Sequence, residues 1–401
     1  MSNEIRIAVI GNVDSAKSST IGVLTTDILD DGRGFSRSTI LKHPHEKDSG
    51  RTSCITQKFL KKNGKIYNFV DLAGHEKYLR TTISGLNGYF INYAMVTIGA
   101  DRGIIGMTKE HISVALALKI PIFIVITKKD IAQEQKLERI LKRLKMIFKS
   151  SFAGNKKTII VNNTNIDIDN IVQNFPNDNT IPIFITSNVT GENINILKKF
   201  IYSLENEKTI GNIKDENAKF IIDSRFKLKG LGIVISGIVK DGKFNINEKY
   251  FLGPFDGKYK AVMIKSIHDN FYKSINNLHS GQGGCFNIKL VNKRETINLN
   301  HIRKGHILIK IPSSIWAFKA KIKILHHPTT IKVDYEPIIH CGIIKQSAKI
   351  HKMSKELVRA GDNAIAEFRF LYKPEYIEKG QNIVFREGRT KGIGEILELL
   401  H

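Results

Sequence analysis

Long apolar runs are missing from this sequence. In its first half the longest, IPIFIVI, spans Ile120–Ile126, about a third of the ~20 residues that a membrane-spanning helix needs. The opening residues MSNEIRI hold no apolar stretch of the kind a secretory signal carries. Cysteine is scarce as well. Cys54, Cys285 and Cys341 are odd in number, far apart and free of any C-x-x-C pair. That argues against a disulfide framework and against a zinc site, and they read as small core or loop residues. No internal repeat and no low-complexity tract stands out. These absences point to a soluble, cytoplasmic protein with no membrane contact, and it is taken as a monomer.

What is present is a chain of 401 residues, enough for two or three domains. Hydrophobic residues make up 41% of it, ample for packed cores. The chain is strongly basic: 62 Lys and Arg against 38 Asp and Glu give a formal net charge of +24. A field of that sign favours polyanions, and nucleic acid is the usual one. A blander account also stands. The chain is rich in Ile, Lys and Asn, as an AT-rich coding sequence would make it, and lysine on a solvated face needs no partner. Charge does not distinguish tRNA, rRNA and DNA.

The first half alternates between two periods. IRIAVI, IYNFV, YAMVTIGA, IFIVIT and PIFITS read as strands. Between them lie helical patterns: from Lys17 towards Ile28, KEHISVALALK with Ile112, Ala115 and Leu116, QKLERILKRLKMIFK with Leu137, Ile140, Leu141, Leu144, Ile147 and Phe148, and NINILKKFIYSL with Ile194, Leu197, Phe200 and Ile201. Such alternation predicts a parallel-rich α/β sheet with helices on both faces. The Asn-rich stretch Asn162–Thr180 reads as a surface insertion. A polar linker follows at Asn206–Ala218, and then short β-rich runs separated by turn residues, the signature of two all-β barrels. HKMSKELVRAGD, the one break in the last block, reads as a turn-rich connection. The expected partition is 1–208, 216–312 and 313–401. The helix that carries Lys136, Arg139, Lys142, Arg143, Lys145 and Lys149 is basic opposite its apolar stripe: a solvated outer face or, more sharply, an RNA contact.

Four short motifs carry the chemistry. AVIGNVDSAKSST has the outline G-x-x-x-x-G-K-[ST], between a strand and a helix, with Gly11 opening it and Lys17 and Ser18 closing it. Backbone N–H groups of Gly11, Asn12, Asp14, Ser15, Ala16, Lys17, Ser18 and Ser19 would cradle phosphates at a helix N-terminus. Lys17 would reach the β- and γ-phosphates, and the Ser18 hydroxyl would ligate Mg²⁺. VDLAGHE supplies Asp71 for the metal, through water, and Gly74, whose N–H would meet the γ-phosphate. TKKD, with Thr127, Lys128 and Asp130, ends a strand, and its aspartate can accept from guanine N1–H and N2–H. TSNVTG, with Ser187, Asn188 and Val189, ends the next strand and can close over the base. Each motif alone is weak. Four in this order, each at the C-terminal end of a strand where open α/β sheets bind ligands, point to GTP and GDP with Mg²⁺.

The order and wording resemble the translational GTPases, the class of elongation factor Tu and elongation factor 1 alpha, and within it the GTP-binding protein 1 and 2 branch. Phrases such as DDGRGFSR, HPHEKDSGRTS, DLAGHEKYLRTTISGL, LHHPTTIKVDYEPIIHCG and FREGRTKGIGEI carry the resemblance over nearly all of the chain. It implies that Thr52 ligates Mg²⁺ when GTP is bound, that His75 positions the attacking water, and that Asp14 helps coordinate cations near the phosphates. Together with Lys17, Thr52 and His75 form the expected catalytic set. Arg386–Gly394 resembles a third-domain stretch that meets tRNA, so Arg386, Arg389, Thr390 and Lys391 are candidate RNA contacts. The implied job is a GTP-hydrolysing switch that works with aminoacyl-tRNA or the ribosome, in elongation, rescue or RNA quality control.

Three departures stand against that pattern. Position 16 is alanine where glycine is usual, and its methyl would crowd the β-phosphate. That keeps open a pseudo-GTPase that binds RNA or ribosomes without catalysis. Thr127 replaces the usual asparagine of N-K-x-D but keeps a hydroxyl. Arg51 stands beside the switch threonine in place of an aliphatic residue, where it could reach a γ-phosphate or pair with a surface acid. A GTPase regulating another enzyme is a third reading, which the basic charge disfavours.

Overall fold

The computed structural model describes residues 3–39, 55–75, 78, 82, 85–86, 88–150, 153–161, 168–175, 179–206, 217–292, 294–326, 328–342, 344–387 and 390–400. They form two compact units. The first is Met1–Leu86 with Phe90–Asn206, and the second Asn87–Tyr89 with Glu207–His401. Among the described residues no helix is long and apolar enough to cross a membrane. Thr52, Arg51, Cys54 and Arg389 lie outside the described residues, as does most of the expected linker.

The first unit follows the two periods of its sequence. In chain order it runs β1 (Asn3–Gly11), α1 (Lys17–Thr26), α2 (Phe35–Ser38), β2 (Thr56–Lys62), β3 (Lys65–Asp71), β4 (Tyr93–Gly99), α3 (Gly106–Ala117), β5 (Ile122–Thr127), α4 (Glu134–Lys149), β6 (Lys157–Ile160), α5 (Ile168–Asn174), β7 (Thr180–Ile185) and α6 (Ile194–Ser203). The sheet order is β2-β3-β1-β4-β5-β7-β6. All pairs are parallel except β2 with β3. The central strands are buried along their whole length, so they read as unbroken apolar runs. One side of the sheet packs a ring cluster: Phe123 lies 5.2 Å from Phe200 and Phe184 4.9 Å from Phe200. Each such buried ring contributes about 1.5–3 kcal/mol of burial.

Two expectations need correcting here. The stretch Asn162–Thr180 is not a mere surface insertion. It contains α5, and Ile168 and Phe175 are buried in the main core, with Phe175 stacked on Tyr93 at 5.6 Å. Ile168 and Phe175, with Ile171 and Val172 packed beside them, dock this short helix among many Asn. In HKMSKELVRAGD, the first three residues continue a strand and Leu357–Val358 form another. On α4, Ile140, Leu144 and Phe148 are buried, while Lys136, Arg139, Lys142, Lys145 and Lys149 are exposed. Lys142 pairs with Glu138 at 3.9 Å.

The second unit holds two barrels. The first uses β8 (Lys219–Leu228), β9 (Gly232–Asp241), β10 (Lys243–Asn245), β11 (Lys249–Phe255), β12 (Lys258–Asp269), β13 (Ser274–Ile275), β14 (Asn277–His279), β15 (Gly283–Leu290) and β16 (Ile307–Ile309). Its order β11-β16-β8-β9-β15-β12 closes on itself through β11–β12 pairing, with β13 flanking β12 and β10 paired to β14 apart. The second uses β17 (Ala317–His326), β18 (Ile331–Lys332), β19 (Ile338–Cys341), β20 (Ile344–Met353), β21 (Leu357–Val358), β22 (Asn363–Phe370), β23 (Asn382–Glu387) and β24 (Thr390–Leu400). β17-β22-β20-β19-β23-β24 form its closed ring, while β18 and β21 pair separately. Strict alternation marks β22, where Ala364, Ala366, Phe368 and Phe370 point inward. The fold is thus a parallel-rich α/β domain followed by two antiparallel six-stranded barrels.

Candidate functional site

Four loops leave the C-terminal ends of β1, β3, β5 and β7, and the described residues of the four motifs lie on these loops and on the strand and helix ends that they join. The order of the sheet puts β1 between β3 and β4, so the chain leaves β1 and β4 in opposite directions and opens a crevice there.

The first loop turns sharply. Gly11 has φ +150, and a Cβ there would fall 2.3 Å from the Thr97 carbonyl oxygen. Asp14 and Ala16 both adopt the left-handed conformation, at φ 61 and 59. Ala16 is the N-cap of α1 and gives it no side-chain cap. An alanine held there costs about 1–2 kcal/mol that a glycine would not. The turn nevertheless closes: the Ser15 hydroxyl hydrogen-bonds to the Asn12 carbonyl and to the Thr97 hydroxyl, each at 2.8 Å.

Lys17 is buried, and its ammonium donates to the carbonyls of Asn12 at 2.7 Å and Gly11 at 3.3 Å. Burial pulls its pKa down, and the nearby Asp71 and Asp14 carboxylates pull it back up. A Cβ on Gly74 would sit 2.7 Å from the Asn12 carbonyl carbon and the Gly11 carbonyl oxygen, as well as 2.5 Å from the Lys17 ammonium, so the backbone of the first loop leaves room only for glycine. The Ser18 hydroxyl donates to Asp71 Oδ2 at 2.5 Å. His75, exposed, lies edge-on to Tyr78 at 6.2 Å.

Ser18 and Asp71 suit a small hard cation. Their oxygens converge beside Lys17, and Mg²⁺ is held by few protein oxygens plus substrate phosphates. Among the described residues no group of three His, Cys, Asp or Glu could hold a metal by itself.

The base-side loops are tied to each other and to the phosphate loop. The exposed Asp130 carboxylate accepts from the Ser187 hydroxyl at 2.6 Å. That same Ser187 oxygen accepts the N–H groups of Val189 and Thr190. The side chain of Asn188 donates to Thr20 on α1 at 3.0 Å. Thr127 is fully buried, and its hydroxyl donates to the Ser15 carbonyl at 3.1 Å. It therefore links the loop after β5 to the loop after β1. Lys128, at φ 61, pairs with Asp101 at 2.9 Å. Ser19 is buried on α1.

Two contributors were not legible beforehand. His111, on α3, is fully buried, and its Nδ1 accepts the Gly11 N–H at 3.2 Å. Burial and the Lys17 charge push its pKa down to about 3, so it is a neutral acceptor that fixes the start of the loop. A hint existed: Thr108, His111, Ile112 and Ala115 share one helical stripe. The other contributor is Arg102, whose Nη1 lies 3.0 Å from Asp14 Oδ2.

Of the candidate RNA residues, Arg386 belongs to β23 and Thr390 and Lys391 to β24, while Arg389 lies outside the described residues. The backbone of Arg386 pairs with Lys391 and that of Glu387 with Thr390.

Comparison with known proteins agrees with this arrangement. A family profile described as Elongation factor Tu GTP binding domain matches residues 2–207. The chain is 40% identical over 426 residues to GTP-binding protein 1 of Xenopus laevis, covering 99% of this chain and 64% of that protein. It is 33% identical over 426 residues to GTP-binding protein 2 of Homo sapiens, covering 99% and 69%. It thus spans about two thirds of these relatives' lengths. The GTP-bound Ski7 GTPase-like domain of S. cerevisiae superposes with a TM-score of 0.79, covering 98% of this chain and 97% of that one at 13% identity. That likeness speaks for the fold alone. By its profile match and its near full-length identity to these relatives, the chain belongs to the translational GTPase family built on the elongation factor Tu GTP-binding domain, in the branch of GTP-binding proteins 1 and 2.

Proposed function

We propose that this chain is a guanine-nucleotide switch that binds GTP and GDP with Mg²⁺, hydrolyses GTP, and works with aminoacyl-tRNA or the ribosome. The observation that carries the reading is one sheet edge on which Lys17, Ser18 and Asp71 gather beside Asp130 and Ser187. In this reading Lys17 turns from its two carbonyls to the β- and γ-phosphates. Ser18, Asp71 and Thr52 hold Mg²⁺, which would neutralise phosphate charge when bound. Asp130 reads the guanine edge, with Ser187 fixing the carboxylate and Asn188 and Val189 covering the base. Gly74 offers its N–H to the γ-phosphate, and His75 orients water. Such catalysis is mostly positioning and charge neutralisation, so turnover is slow without an activating partner.

The segments around Thr52 and around Gly74 and His75 act as the two switches. The functional division is 1–208, 216–312 and 313–401, and the hairpin with Arg386, Arg389, Thr390 and Lys391 meets RNA. Net charge +24 supports the RNA side. Binding should then fall with salt at about 0.7–0.9 log units per neutralised phosphate per log unit of salt, and Arg389→Ala should weaken it without touching GTP affinity.

Titration with GTP, GDP and ATP in Mg²⁺ tests the nucleotide reading. GTP and GDP should bind, ATP should not, and Asp130→Asn should shift preference towards xanthine nucleotides. Equal affinity for ATP and GTP would overturn the guanine assignment. Ala16, at φ 59, favours a second reading, a pseudo-GTPase that holds RNA or ribosomes in one shape. Failure to bind either guanine nucleotide would select it.

A further inference from the structure

The turn after β4 is built to hold two loops at once. The N–H groups of Arg102 and Gly103 both donate to the Gly99 carbonyl, at 3.2 and 2.8 Å, and Gly103 takes φ +71. The Ala100 N–H donates to the Thr127 carbonyl at 3.0 Å. So tight a turn presents Asp101 and Arg102 side by side. Asp101 takes the Lys128 ammonium of the base loop at 2.9 Å, and Arg102 takes the Asp14 carboxylate of the phosphate loop at 3.0 Å. The cation at Asp14 is therefore a guanidinium from the chain itself.

An arginine in this place has donors to spare. The guanidinium is always charged and carries five N–H donors in a planar fork. One of its terminal nitrogens meets Asp14, and the side chain stays 56% exposed, so donors of the fork remain open to a further partner. Asp14 stands at φ 61, three residues before Lys17. Position along the crevice follows from the neighbours. Gly74 and Asp71 mark the end near the Lys17 ammonium, whereas Asp101 and Lys128 mark the end near the base loop.

We propose that Arg102 is a phosphate clamp: with a nucleoside di- or triphosphate in the loop, its guanidinium, held by Asp14, donates to the phosphate oxygens on the base side, those of the α- and β-phosphates. The proposal rests on reading this crevice as a nucleotide site. GDP and GTP share those phosphates, so both should gain from Arg102. Asp14 acts through Arg102, as a positioning residue. The competing account is a surface ion pair that merely joins two loops, and exposed pairs of that kind do little.

The test is equilibrium binding and dissociation of fluorescent GDP and GTP on the full chain in Mg²⁺, for the native protein, Arg102→Ala, Arg102→Lys and Asp14→Asn. Arg102→Ala should weaken GDP and GTP alike by about tenfold or more, mainly through faster release, the scale of a charge-assisted hydrogen bond. Arg102→Lys should restore only part of the loss, because a point charge lacks the fork. Asp14→Asn should fall between native and Arg102→Ala. The melting temperature of Arg102→Ala should match the native protein. Native affinity in Arg102→Ala, or full rescue by lysine, overturns the clamp while leaving the nucleotide site in place. A weakened affinity matched by a lowered melting temperature also overturns it, in favour of the loop-joining ion pair. A native protein that binds neither nucleotide overturns the underlying reading, and the clamp with it.

Discussion

Lys17 in the first unit and Lys240 in the second are both largely buried, and burial lowers both pKa values. Their surroundings differ. Lys17 hydrogen-bonds two backbone carbonyls, with Asp71 and Asp14 near enough to be felt but not in contact. Lys240 is locked to Glu378, whose other oxygen takes Lys219 at 2.5 Å and the Tyr376 hydroxyl at 2.8 Å. Lys219 also reaches Asp241 at 3.3 Å. This second network ties the first barrel to a carboxylate of the other. A buried cation resting on carbonyls keeps room for an anion, whereas one tied to a carboxylate has spent its charge on the fold.

The contrast breaks hardest at Lys17. Lys17→Ala should lower GTP and GDP affinity by about 100-fold or more, since the phosphates lose a buried, charge-assisted donor, and leave the thermal midpoint within ~2 °C. Calorimetric titration and a melt on the same sample check both halves. Glu378→Gln should do the reverse. It strands Lys240 and leaves Lys219 with Asp241 alone, and a loss of about 2 kcal/mol from the barrel unit is expected, discounted from the fully buried case because the group is partly exposed. Urea midpoints would show it, with GTP affinity unchanged. Next in size is Ala16→Gly. Relief of the left-handed alanine should stabilise the loop and tighten both nucleotides by about 1–2 kcal/mol. The gain should vanish when Lys17→Ala is added, and unchanged affinity would mean the loop already accommodates its methyl.

The smallest effect is in pH, and it sharpens the contrast because the units should differ in sign. His111 and His306 are both depressed to about 3 by burial. Each binds a proton more readily unfolded, so each contributes stability that is lost as pH falls below 6.5, roughly 0.7 kcal/mol between pH 7 and 6. Glu375 runs the other way. Burial lifts its carboxyl to about 7 despite Arg303 at 3.4 Å, so its contribution is full below its unfolded value and lost as pH rises through 7. From pH 6 to 7 the first unit should gain stability, while the barrel unit should gain nothing or fall. Hydrogen exchange followed unit by unit reads this directly.

Much of the candidate crevice was legible because its signals are local. Gly11, Lys17 and Ser18 sit within eight residues, and Asp71, Asp130 and Ser187 each end an apolar run. The architecture was legible for the same reason, through the change from alternating α and β periods to short strands. Arg102 and His111 were hidden because they reach the loop from 88 and 100 residues away; the helical stripe that His111 shares with Thr108, Ile112 and Ala115 marks a buried face but not the loop it supports. Thr127 was visible as a departure, but only three dimensions showed its hydroxyl facing Ser15. The edge strands β2 and β6 were missed outright, since TQKFLKK and KTII mix lysine with apolar residues and match neither a buried run nor a clean alternation.

The lysines that hid those two strands also guard them. The barrels close on themselves, but among the described residues the α/β sheet ends at β2 and β6. An exposed strand edge is a template for another chain to add to. Lys58, Lys61 and Lys62 on β2, and Lys157 on β6 beside the half-exposed Ile159 and Ile160, would bring like charges together in any edge-to-edge pairing of two copies. In such a pairing that part of the chain's positive charge would repel a second copy, whatever polyanion the rest attracts.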